Sequence, residues 1–135
     1  MRLTDHTDYS LRVLMYLNQE KRLITLNELA EKLDISKNNL IKVSNQLAKF
    51  GFIETTKGRT GGLLIKEGTS RKTIADIIKQ TEESFYMAEC FSEKRCECTF
   101  LKNCQLKVTL KSALRAFMDS LAKTTIDDVT PKKRA

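Results

Sequence analysis

Between Thr25 and Ile65 two helix starts come in quick succession, followed by a glycine stop and two β-prone runs around a glycine-rich turn. Few folds accommodate that order. Thr25-Leu-Asn-Glu28 has the form of a capping box: the threonine hydroxyl takes the N–H three residues on, and the glutamate reaches back. Leu26, Leu29, Ala30 and Leu33 follow at helical spacing. This helix is expected to stop near Asp34, and Ser36 to cap the next. A short helix, a tight turn and a second capped helix make the helix-turn-helix pattern.

The second of these helices is expected over 37–50, with Leu40, Val43, Leu47 and Phe50 as its buried stripe. At about 100° per residue, Asn38, Lys42, Asn45 and Lys49 fall on the opposite face, which carries no acid. Asparagine pairs with the adenine edge in the major groove, and lysine reaches guanine or phosphate. Recognition helices read mostly with their N-terminal residues, so Asn38, Asn39 and Lys42 are the base-reading candidates, with Lys37 beside them. Gly51 is placed to end the helix. Phe52 to Lys57 and Leu63 to Ile65 then read as a hairpin around Gly58-Arg-Thr-Gly-Gly62, a wing carrying Lys57, Arg59 and Lys66. Arg59 at its tip either enters a narrow A·T-rich minor groove or only touches phosphates; both readings stay open. No Gly-Lys-Ser/Thr follows the glycines, which disfavours a nucleotide-phosphate loop.

The flanking segments are helical. A helix over 7–19 is apolar on more than one face, serving either one wide core or a core and a partner subunit. Thr73 is expected to cap a short helix with Ile74, Ile77 and Ile78 inward. From about Lys102 to Lys123, Leu106, Leu110, Ala113, Leu114, Phe117 and Leu121 recur at spacings of three and four. That helix is longer than one winged-helix domain needs. It is expected to pair with its copy through Leu110, Leu114, Phe117 and Leu121, giving a homodimer. The expected fold is mainly α with a small β-wing. A winged helix-turn-helix domain takes 1–80, a cysteine-rich segment 81–104, and a dimerisation helix with a basic tail 105–135. Pro131 to Arg134 has no evident structural duty, and His6 reads as a solvated N-terminal residue.

Charge narrows the partner. Lys and Arg total 24 against 17 Asp and Glu, a net charge of +7, which favours a polyanion, nucleic acid before membrane. The polar N-terminus holds no secretory pattern and no apolar run is long enough to span a bilayer, so the expected location is the cytoplasm. One histidine, no paired acids and no nucleotide loop argue against an enzyme.

All four cysteines, Cys90, Cys96, Cys98 and Cys104, lie in one short stretch, C-FSEKR-C-E-C-TFLKN-C. In a reducing compartment such a cluster serves as metal ligands or redox sensors rather than structural disulfides. Zinc knuckles and ferredoxin spacings are both missing, so spacing alone does not name the metal. Glu89, Glu93 and Glu97 oppose thiolate formation; Lys94, Arg95, Lys102 and Lys107 favour it.

Taken together, four stretches resemble the iron–sulfur winged-helix regulators of the NsrR/IscR family. They are the opening Met-Arg-Leu-Thr-Asp-His-Thr-Asp8-Tyr-Ser-Leu-Arg12, then Ile35-Ser-Lys-Asn-Asn-Leu-Ile-Lys42-Val43, Gly58 to Gly62, and Ala88-Glu-Cys90 with Cys98-Thr-Phe-Leu-Lys-Asn-Cys104-Gln-Leu-Lys107. The NsrR-type branch fits best, since the histidine that IscR-like members carry three residues after the last cysteine is Lys107 here. The resemblance implies a homodimeric repressor with a 2Fe–2S or 4Fe–4S cluster on Cys90, Cys98 and Cys104. It implies Asp8, reaching from the other subunit, as fourth ligand, with Cys96 as the rival. It also implies nitric oxide as the signal that lowers affinity for an inverted-repeat, A/T-rich operator. The alternative is a regulator of the same fold sensing iron, cluster supply or oxidation, in the IscR-like or thiol-redox manner.

Overall fold

The computed structural model describes residues 1–134. Helix α1, Asp5–Glu20, is the element the others pack on. It starts earlier than the apolar pattern suggests. The Thr4 hydroxyl accepts the Thr7 N–H at 3.3 Å, and Asp5 and Asp8 lie at the positive helix end. Val13, Leu14 and Leu17 are fully buried. The apolar faces of α1 are used within the subunit, against α2 (Leu26–Leu33), α3 (Lys37–Lys49), the hairpin and two later helices.

Helices α2 and α3 form the helix-turn-helix. Asp34 ends α2 in the left-handed conformation, φ 52°, which the short polar side chain of aspartate tolerates better than most. The Ser36 hydroxyl accepts the Asn39 N–H at 3.3 Å and opens α3. The α2 cap is only half of a capping box. The Thr25 hydroxyl takes the Glu28 N–H at 3.1 Å, but the Glu28 carboxylate faces Arg22 (2.6 and 3.1 Å) and accepts the Tyr16 hydroxyl at 2.8 Å. Burial and this bond push Tyr16 up to about 12.

The stripe of α3 also ends sooner than expected. Leu40, Val43 and Leu47 are buried, but Phe50 is 36% exposed. The helix stops at Lys49 and Gly51 turns the chain at φ 76°, so Phe50 lies outside with its ring 6.4 Å from that of Phe52, which takes the core position.

Strands β1 (Ile53–Thr56) and β2 (Gly62–Ile65) pair antiparallel, Ile53 opposite Ile65 and Thr56 opposite Gly62. The hairpin is anchored to the α1–α2 loop by a two-way bond between Ile24 and Leu63, at 2.7 and 2.8 Å. Backbone approaches this close explain the two adjacent glycines. A Cβ on Gly61 would sit 2.1 Å from the Thr56 carbonyl oxygen, and one on Gly62 2.4 Å from that of Ile24.

Helix α4, Ile74–Thr81, opens on a complete capping box between Thr73 and Asp76. Residues 82–104 hold only two single-turn 3₁₀ helices, Glu89–Phe91 and Leu101–Asn103. Helix α5, Gln105–Leu121, follows, and none of its residues is buried within the subunit. Leu106 and Val108 are 66% and 60% exposed. Leu114, Phe117 and Leu121 line a groove of about 610 Å³ with Leu3, Leu11 and Phe85.

The chain end is structured, contrary to its sequence reading. Thr124 accepts the Ile74 N–H at 2.8 Å, and α6, Ile126–Val129, places Ile126 in the core. Asn18 donates to Asp127 and Thr130, Gln19 donates to the Pro131 carbonyl at 2.7 Å, and Lys133 pairs with Glu20 at 2.8 Å. The basic tail is tied to the end of α1.

Candidate nucleic-acid interface and thiol segment

The outer face of α3 and the hairpin turn carry the basic candidates. Lys37, Asn38, Asn39 and Lys42 are exposed on the first turns of α3, and Lys57 and Arg59 on the turn between the strands. Among the described residues none of Lys37, Lys42, Lys49, Lys57 and Arg59 makes an ion pair. Acids and bases neutralise one another mainly along α1 and at the start of α2, so the α3–hairpin side keeps its positive charge.

The side chains of α3 divide between two depressions. One, about 550 Å³, brings Lys37, Ile41 and Asn45 together with Asn27 at the start of α2 and with Lys57 and Arg59. The other, about 540 Å³, holds Lys42, Gln46 and Lys49 with Thr4, His6 and Glu83. Ile41 was not among the sequence candidates. The packing leaves it 44% exposed. The wheel gave a signal all the same: Ile41 lies about 60° from Asn38, away from Val43 and Leu47.

His6 is half-buried rather than solvated. Its Nε2 hydrogen-bonds Gln46 Oε1, and Gln46 Nε2 donates to the Gln80 carbonyl at 3.3 Å. One side chain of α3 is thereby held by the first turn of α1 and the last turn of α4. In the same first turn of α1, Asp8 accepts from Arg12, whose Nε lies 3.1 Å from Oδ1. Arg12 also sits over the Tyr9 ring, 5.6 Å from its centroid.

Cys90, Cys96, Cys98 and Cys104 are all free thiols; Cys98 is exposed and the others half-buried. Cys104 is the N-cap of α5, its Sγ accepting the Lys107 N–H at 3.3 Å. The Lys107 ammonium lies 5.9 Å from the centroid of the Phe91 ring, next to Cys90, so the two ends of the thiol segment meet. Among the described residues no three His, Cys, Asp or Glu side chains converge on one point. The donor set suits a soft iron centre: sulfur ligands free of disulfides, on irregular backbone able to rearrange, with a backbone N–H already directed at one sulfur.

Comparison with known proteins places this arrangement. The profile of the Rrf2 family, described as iron-dependent transcriptional regulators, matches residues 3–132. The HTH-type transcriptional regulator NsrR of Bacillus licheniformis is 38% identical over 131 residues, 96% of this chain and 92% of that protein. NsrR of Bacillus subtilis is 38% identical over 135 residues, 98% and 92% of the two chains. Protein aau3 of Rhizobium meliloti is 40% identical over 131 residues, 96% and 84%. In fold, the chain is similar to Staphylococcus aureus CymR, with a TM-score of 0.72 at 20% identity over 98% of this chain and 100% of that one. It is also similar to T. potens IscR, with a TM-score of 0.72 at 16% identity over 95% and 85%. Among the described residues no helix is long and apolar enough to cross a membrane.

Proposed function

This chain belongs to the Rrf2 family of transcriptional regulators, and within it we propose that it is a homodimeric repressor whose operator affinity is set by an iron–sulfur cluster sensitive to nitric oxide. It acts in the cytoplasm, where its DNA is. Residues 1–80 bind DNA, 81–104 hold the cluster, and 105–135 supply the dimer helix and tail. Asn38, Asn39 and Lys42 read bases, while Lys37, Lys57 and Arg59 hold the backbone and an A/T-rich minor groove. Two copies of α3, about 34 Å apart, meet successive major-groove segments of an inverted repeat. Leu110, Leu114, Phe117 and Leu121 of α5 bury against the second subunit. Within one chain none of α5 is fully buried, and a second subunit would cover its exposed side.

Cys90, Cys98 and Cys104 hold the cluster, 2Fe–2S or 4Fe–4S, with Asp8 of the other subunit or Cys96 as fourth ligand. When bound, the cluster supplies thiolate-ligated iron that reacts with nitric oxide. The observation that carries the switch is the Cys104 cap. The sulfur that binds iron is also the acceptor that starts the dimer helix, so a change on it is felt in the first turn of α5. As fourth ligand, Asp8 would give up Arg12 for the iron of the other subunit's cluster, and the N-terminal turn of α1 would shift. The His6–Gln46 bond passes that movement to α3.

One observation favours a second reading. All four cysteines are free thiols, so a thiol-redox regulator without metal, or one answering to iron or cluster supply, fits the same segment. Protein purified without oxygen separates these. Stoichiometric iron and sulfide, bleaching of the visible absorption by nitric oxide and a parallel loss of operator binding support the proposal. Colourless protein after reconstitution, with DNA affinity that follows dithiothreitol, supports the thiol reading. Equal affinity with and without cluster removes the switch and leaves DNA binding intact.

A further inference from the structure

We infer that Ile41 is a base-reading residue that seats the C5-methyl of a thymine in the operator's major groove. The inference rests on the reading of α3 as the recognition helix. Ile41 is a branched aliphatic side chain left 44% exposed on α3, outside the buried core. The depression it lines with Leu26 and Leu63 is rimmed by polar and basic groups: Lys37 one turn before and Asn45 one turn after, with Lys57 and Arg59 of the hairpin. A protein ligand would have to bury these unpaired cations to reach one isoleucine. DNA needs the reverse, with cations against phosphates and side chains against base edges. Of the groups displayed in the major groove, the thymine methyl is the apolar one, and aliphatic side chains recognise it by contact. Ile41 lies in the first half of α3, where recognition helices reach furthest into the groove. Asn45, one turn on, is placed to take the edge of a neighbouring adenine, so the expected signature is a thymine beside an adenine in each half-site.

The test uses the full chain, purified without oxygen, with and without reconstituted cluster. Duplexes are first selected from a randomised pool by the wild-type protein. Each thymine of the selected sequence is then replaced, one at a time, by deoxyuridine, which removes only the methyl. Binding is measured for wild type, Ile41→Val and Ile41→Ala. At one symmetry-related pair of thymines, the replacement is expected to weaken wild-type binding about three- to fivefold per half-site. It should be nearly silent for Ile41→Ala, a non-additive pair, with Ile41→Val in between. Thermal unfolding should be unchanged, since the side chain lies outside the core. If every deoxyuridine replacement costs the wild type and Ile41→Ala equally, Ile41 reads no methyl. If the pool yields no enriched sequence in either cluster state, the recognition-helix reading falls and takes this inference with it.

Discussion

The two halves of the molecule are built on opposite principles. From Thr25 to Thr81 almost every helix end is capped, the inward side chains of α3 and α4 are buried with Leu29, Ile53 and Leu63, and the Ile24–Leu63 pair pins the hairpin in place. From Glu82 to Leu121 the chain has two isolated helical turns, four free thiols and a helix with nothing buried. The first region is preorganised by its own contacts, so the backbone that carries the side chains proposed to read DNA is set before any ligand arrives. The second leaves its conformation to be decided by what joins it. The sensing role proposed for the second region fits this difference, because a segment already locked by its own packing has no second state for a signal to choose.

Core truncation should break this contrast most strongly. Leu47→Ala opens a cavity beneath α3 and is expected to cost about 2–5 kcal/mol in urea unfolding. Leu114→Ala on α5 should cost far less in the subunit and appear instead as weaker dimerisation in sedimentation. Gly62→Ala comes next. Its Cβ would collide with the Ile24 carbonyl, so a loss of about 1–3 kcal/mol is expected by the same assay, with operator binding lost as the hairpin shifts. Lys37→Ala and Lys57→Ala should leave unfolding unchanged. Each should lower the slope of log affinity against log salt by about one, measured by titrating duplex at several salt concentrations.

Finer substitutions sharpen the contrast. Cys104→Ala removes the α5 cap, at an expected cost of about 0.5–2 kcal/mol and with faster hydrogen exchange at the Lys107 amide. Cys104→Ser should keep slow exchange while losing the sulfur. Capping and metal ligation at one atom are thereby separated. Smallest is the acid response of the Glu28 cluster. Arg22, and after it Tyr16, holds this carboxyl below its ordinary 4.5. Its contribution is therefore present at neutral pH and is lost as pH falls through the depressed value. Arg22→Ala should narrow the difference in melting temperature between pH 7 and pH 3 only slightly, as for an exposed pair.

The helix-turn-helix, the wing and the start of α4 were legible in the residues because their causes are local. Thr25, Ser36 and Thr73 each cap the helix that follows, Asp34 and Gly51 take up left-handed backbone, and leucines at helical spacing face inward. Lys42 and Asn38 could be placed on an outward face by counting alone. Position across the chain had other causes. Asn18, Gln19 and Glu20 hold residues more than a hundred positions away. His6 meets Gln46 only because α1 crosses α3, Phe50 is displaced by one turn of chain, and Ile41 is outside because Leu40, Val43 and Leu47 fill the space within. Caps and glycines act over a few bonds and leave a mark in adjacent letters. Burial and side-chain pairing between distant segments depend on how finished helices meet, and no short stretch of sequence carries that.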